Sequence, residues 1–221
     1  MEAIIKVSDV SLILNKKKIL ENINIGFEEK HIYGIVGRNG SGKTMLMKCI
    51  CGFVRPTKGE IKVHNDIIGK TQDFPKDTGM LIETPGFIPY YSGYKNLKLL
   101  AGLNKRIDSE GIKKAMENVG LDASLKLPVR KYSLGMRQRL GIAQAVMENP
   151  SILILDEPFN GLDTGGVDKM RTYLQELKKE GKTILLVSHS HEDISILCDY
   201  VYKMEAGKIE RSLEGDSGNH L

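Results

Sequence analysis

The chain has 221 residues, enough to bury a sizeable core as one domain or as a domain carrying a subdomain. Its 41% hydrophobic and 27% charged residues give an ordinary globular balance, and the net charge of +4 comes from lysines spread along the chain. Neither a disulfide framework nor a zinc site can be made from Cys49, Cys51 and Cys198, and no run approaches the ~18 apolar residues of a transmembrane helix.

The segment Met1 to Val10 alternates like a strand, so no secretory or transit segment is expected there. Ile4 to Leu14 and the alternating Leu20, Ile23, Ile25 and Phe27 predict two early strands. Between them lies Lys16-Lys17-Lys18, the nearest thing to the basic stripe of a nucleic-acid protein, which reads instead as a solvated hairpin turn. Ile32 to Val36 predicts a buried strand. A glycine-rich loop follows, then a helix from Lys43 to about Cys51, which makes Cys49 and Cys51 packing residues. Ile61 to Val63 enters a turn at His64-Asn65-Asp66, and Gly79 to Ile82 is another short buried run.

From about Thr84 to Met147 the pattern becomes helical, with Ile112, Ala115, Met116 and Val119 spaced at i, i+3, i+4 and i+7. Strand-like runs then return. Ile152 to Leu155 is wholly aliphatic, as expected of a parallel strand covered on both faces. A helix presenting Val167, Met170, Leu174 and Leu177 comes next, then a strand over Thr183 to Val187. Tyr200 to Met204 and Lys208-Ile209 form a hairpin across Ala206-Gly207, ahead of a polar tail from Arg211 to Leu221. The expected fold is an α/β core over about 1–83 and 148–210, interrupted by a helical subdomain over about 84–147, in a single domain covering 1–221.

Gly37-Arg38-Asn39-Gly40-Ser41-Gly42-Lys43-Thr44 has the spacing Gly-x4-Gly-Lys-Thr. Glycines let the backbone wrap a phosphate with its N–H groups inward, and the following helix adds the positive end of its dipole. Lys43 is expected on the β- and γ-phosphates, the Thr44 hydroxyl on Mg²⁺, and Met45 beside them. A guanine-reading Asn-Lys-x-Asp is not matched by Asn104-Lys105-Arg106-Ile107. Downstream, the Ile152–Leu155 run ends in Asp156-Glu157, at the strand edge where such folds bind ligands. Asp156 is placed to hold Mg²⁺ and Glu157 to act as general base.

The stretch Tyr132-Ser133-Leu134-Gly135-Met136-Arg137-Gln138 resembles the signature of ATP-binding cassette (ABC) transporter subunits. Together with the phosphate loop, Asp156-Glu157, the loop Asn160-Gly161-Leu162-Asp163 and His189, it extends the resemblance over nearly the whole chain. The resemblance implies a P-loop NTPase fold and an ATPase with ATP and Mg²⁺ as cofactors. It also implies two cassettes, as a homodimer or heterodimer, sandwiching two nucleotides. In such a dimer Ser133, Leu134, Gly135 and Met136 reach the nucleotide of the partner, Asp163 lies at the seam, and His189 meets the γ-phosphate, with His191 as a competing candidate. An integral-membrane permease would place the chain peripherally on the cytoplasmic face of the membrane.

Three departures stand out. Leu134 and Met136 replace the usual glycine and glutamine, Glu83 replaces the metal-sensing glutamine, and Leu14 stands where an adenine-stacking aromatic is usual. The signature and Ile82 to Phe87 look like the subgroup that exports bacteriocins, lantibiotics and related peptide antibiotics, or confers immunity to them. The alternative is a soluble cassette ATPase acting on nucleic acid or ribosomes.

Overall fold

The computed structural model describes residues 3–83 and 85–212. Strands β1 (Ile5–Leu14) and β2 (Lys17–Phe27) pair antiparallel through a tight turn at Asn15-Lys16, whose φ angles of 49° and 63° suit an asparagine and an exposed lysine. The lysine triplet is therefore split, contrary to expectation. Lys16 is in the turn, whereas Lys17 and Lys18 pair with Leu14 and Ile13 on the ladder. With β4 (Lys58–Val63) and β5 (Asp66–Ile67), these strands form a four-stranded antiparallel sheet in the order β2-β1-β4-β5.

The second sheet contains β3 (Ile32–Val36), β6 (Thr78–Leu81), β7 (Ile152–Asp156), β8 (Thr183–Val187), β9 (Tyr200–Glu205) and β10 (Lys208–Arg211), in the order β10-β9-β3-β8-β7-β6. All its pairings are parallel except β9 with β10. Its period-two side chains divide two cores. Ile152, Ile154, Leu185 and Val187 face the antiparallel sheet and helix α1 (Lys43–Ile50). Leu153, Leu155, Ile184 and Leu186 face the core shared with α4 (Leu134–Val146) and α5 (Thr164–Lys179). This explains why the runs Ile152–Leu155 of β7 and Ile184–Val187 of β8 are apolar without interruption: water reaches neither face. Strand β6, at the edge, is only half-buried except at Leu81.

Between β6 and β7 the described segment contains α2 (Gly93–Asn104), α3 (Ser109–Asn118), a 3₁₀ turn at Val129–Lys131, and α4. The expected apolar stripe is present, with Ile112, Ala115, Met116 and Val119 all buried. Side chains of Ser92, Asp108 and Ser133 cap their helices by accepting from Lys95, Gly111 and Met136 N–H groups. A short helix α6 (His191–Leu197), capped by Ser190, was not anticipated. Arg211, expected in the tail, pairs with Tyr202 in β10; the remainder of that tail lies outside the described residues.

Parallel pairing has one consequence for function. The loops leaving β3, β6, β7 and β8 emerge along the same sheet edge, bringing the phosphate loop, Glu83, Asp156-Glu157 and Ser188-His189 together. Among the described residues no helix is long and apolar enough to cross a membrane.

Candidate active site

Gly37 opens the loop because no larger residue fits: a Cβ there would lie 2.1 Å from the Met204 carbonyl. Gly42 closes it as the N-cap of α1 in a left-handed conformation, φ 111°. The Lys43 side chain folds into the loop and donates to the carbonyls of Gly37 at 2.6 Å and Arg38 at 3.2 Å. It is 6% exposed, and this burial lowers its pKa, against the pull of Glu157 and Asp156. Thr44 donates from its hydroxyl to Asp156 Oδ2 at 2.8 Å. The two residues are 112 positions apart in sequence, so this bond ties the phosphate loop to the end of β7.

Burial raises the pKa of Asp156, opposed by the Thr44 hydrogen bond and Lys43 and reinforced by the carboxylate of Glu83. Burial also raises that of Glu157. Glu157 has a backbone φ of 51°, a left-handed conformation unfavourable for a glutamate. Three hydrogen bonds hold it: its N–H donates to Val187, and its carbonyl accepts from Asn160 N–H at 3.2 Å and Gln138 Nε2 at 2.9 Å. His189 Nε2 lies 3.1 Å from Glu157 Oε1 without hydrogen-bond alignment, leaving that buried oxygen unpaired. The Ser41 hydroxyl is buried and unpaired as well.

These groups border one cleft of about 900 Å³, lined on the loop side by Asn39, Gly40, Gly42, Lys43, Thr44 and Met45. Glu83, Leu134, Gln138, Asp156, Glu157 and His189 line its other walls. Gly37, Arg38 and Ser41 instead border a second cavity of about 580 Å³ on the other side of the loop, where His191 is also found. His189, and not His191, is thus the histidine of the main cleft. Leu14 does not line it, whereas Lys17, Lys18 and Ile19 do. Of Ser133, Leu134, Gly135 and Met136, only Leu134 borders the cleft. Ser133 is exposed, and Gly135 and Met136 are half-buried. Asp163 caps no backbone group and pairs with Arg139 at 3.4 Å.

Sequence reasoning missed three supporting side chains. Lys48 pairs with Glu83 at 2.6 Å, and Gln138 bonds to Glu157. Arg171 binds Asp193 through Nε at 2.8 Å and Nη2 at 2.5 Å, while Asp193 accepts from the Ser188 hydroxyl beside His189 at 3.0 Å. None carries a local pattern.

Residues 20–160 match the protein family described as ABC transporter. The chain belongs to the ABC transporter family. It is similar to the uncharacterized ABC transporter ATP-binding protein YybJ of Bacillus subtilis, at 41% identity over 94% of this chain and 95% of that protein. The bacitracin transport ATP-binding protein BcrA of Enterococcus faecalis is 37% identical over 95% of this chain and 68% of its own length. For the lantibiotic transport ATP-binding protein SrtF of Streptococcus pyogenes the identity is 34%, over 98% and 93%. In fold the chain matches the dimeric post-hydrolysis structure of the ATP-binding cassette MJ0796 bound to ADP and Pi, with a TM-score of 0.85 at 23% identity, over 94% of this chain and 97% of that one. The ABC cassette, a P-loop nucleotide-binding ATPase, is therefore the architecture of this chain.

Proposed function

We propose that the chain uses Mg²⁺-ATP hydrolysis to drive export through a separate membrane permease, with a peptide antibiotic or related compound as the substrate class. The observation that carries the catalytic part is the Thr44–Asp156 hydrogen bond, which sets a hydroxyl and a carboxylate side by side in the cleft that also contains Lys43 and Glu157. The relatives BcrA and SrtF, named for bacitracin and lantibiotic transport, support the substrate class.

A magnesium ion fits this donor set. No described cluster of three or more acidic, His or Cys side chains forms a closed cage, and Mg²⁺ characteristically takes one or two protein oxygens and completes its shell with substrate phosphates and water. Thr44 and Asp156 would hold it, with Glu83 nearby; when bound, it neutralises charge on the β- and γ-phosphates. Lys43 and the loop N–H groups bind and orient the triphosphate. The unpaired Oε1 of Glu157 accepts a hydrogen bond from the attacking water, and the raised pKa of this carboxyl suits proton abstraction. His189, beside the Glu157 carboxylate, meets the γ-phosphate. The exposed Ser133 at the start of α4 faces outward to the nucleotide of a second cassette, and Asp163 takes its place at the seam.

Expression in a bacterial host with affinity capture of the chain from detergent-solubilised membranes tests the transport reading. An integral-membrane subunit that co-purifies and stimulates ATP turnover is the expected result. Recovery of the chain only from the soluble fraction with bound nucleic acid or ribosomes would overturn it in favour of the other class.

A further inference from the structure

The signature helix does more in this structure than present Ser133 at its N-terminus. One and a half turns along α4, Gln138 is buried at 8% exposure and extends its amide to the Glu157 carbonyl of its own chain at 2.9 Å. That carbonyl belongs to the one residue of the cleft whose side chain must aim at a water while its backbone stays left-handed, φ 51°. A left-handed glutamate is unfavourable and persists only where neighbours determine it. Two of the three bonds that do so, from Glu157 N–H to Val187 and from Asn160 N–H to the Glu157 carbonyl, are backbone contacts of the loop and sheet themselves. The third is the side chain of Gln138, which comes from another element.

We propose that Gln138 is a positioning residue that locks the strained Glu157 peptide, so that the helix receiving the nucleotide of a partner cassette also holds the general base of its own. The proposal rests on Glu157 acting as the base. α4 is a continuous helix, so displacement of Ser133 and displacement of Gln138 are one rigid-body movement. When the N-terminus of α4 is seated, the amide is in place and Glu157 points at the water. When α4 swings away, the carbonyl loses its amide partner and the carboxylate loses its aim.

The test compares full-length wild type with Gln138→Met, which keeps length and flexibility and removes the donor. Steady-state turnover, affinity for a fluorescent ATP analogue and the thermal midpoint are measured for each. We expect kcat to fall roughly ten- to hundredfold, the penalty for a base misplaced by about an ångström, with KM, nucleotide affinity and midpoint near wild type. Unchanged kcat, or a parallel loss of affinity and midpoint, overturns the proposal. If Gln138→Met does not fold, Gln138→Glu, of the same shape, decides on the same criteria. Glu157→Gln is run alongside. Should it leave turnover intact, the base assignment itself fails; should it abolish turnover while Gln138→Met does not reduce it, only the positioning role fails.

Discussion

Lys48 Nζ lies 2.6 Å from Glu83 Oε1, so the carboxylate that follows β6 is held by a cation on the helix after the Gly37–Thr44 loop. The pair joins α1 to the loop after β6 and neutralises a carboxylate that otherwise adds to the negative charge felt by Asp156. Glu83 itself lines the cleft and has a left-handed backbone, φ 56°. A glutamine could neither pair with Lys48 as an ion nor attract a divalent cation as strongly.

Removing that charge should weaken the metal. Glu83→Gln is expected to raise the Mg²⁺ concentration for half-maximal ATP turnover several-fold, and Lys48→Met, which frees the carboxylate, to lower it. Superimposable metal titrations for both variants and wild type would place Glu83 outside the reach of the cation.

Arg171 is the second supporting cation. Its partner Asp193 is 5% exposed in the side chain and also holds Ser188, one residue before His189. Arg171→Met strands a buried carboxylate and should cost about 3 kcal/mol of stability by urea denaturation. Adding Asp193→Leu should recover part of that loss. A double variant as unstable as the sum of the two singles would show that the charges do not act as a pair.

Ser133 has two roles that can be separated. As N-cap of α4 it accepts from Met136 N–H at 3.2 Å, and its replacement by alanine should cost about 1 kcal/mol. If it also contacts the nucleotide of a second cassette, Ser133→Ala should reduce turnover well beyond what Ser92→Ala, the equivalent cap of α2, does at similar loss of stability. Equal effects of the two substitutions on turnover would confine Ser133 to capping.

The thiols should be inert. Burial pushes Cys49, Cys51 and Cys198 up to about 12, so hardly any thiolate forms at mildly alkaline pH, and the thiolate is the reactive form. Ellman's reagent is expected to detect them only after denaturant is added. Prompt labelling of the native chain would show that one of these sites opens.

What was legible in the sequence was what is local. The loop from Gly37 to Thr44 and the Asp156-Glu157 pair carry their chemistry in consecutive residues, and the aliphatic runs Ile152–Leu155 and Ile184–Val187 reveal burial on both faces of the sheet. Residues that act through long-range contacts were not legible. Lys48 and Glu83 are 35 positions apart, Gln138 and Glu157 19, and Arg171 and Asp193 22. Nothing in the neighbourhood of each names its partner. Beyond the turn at Asn15-Lys16, Lys17, Lys18 and Ile19 line the cleft and Leu14 does not, a difference set by how the hairpin folds back that the alternating pattern of β1 does not carry. Helix α6 was missed because its seven residues are too few for a periodic pattern, and its cap at Ser190 follows directly on the His189 loop.

The measurement that bears most directly on the whole account is phosphate release from Mg²⁺-ATP by Glu157→Gln beside equilibrium binding of ATP to the same variant. Near-normal affinity with turnover reduced to background is the outcome predicted for a base that follows β7 and takes no part in holding the nucleotide. Turnover at the wild-type rate would contradict it, because proton abstraction would then belong to a different group.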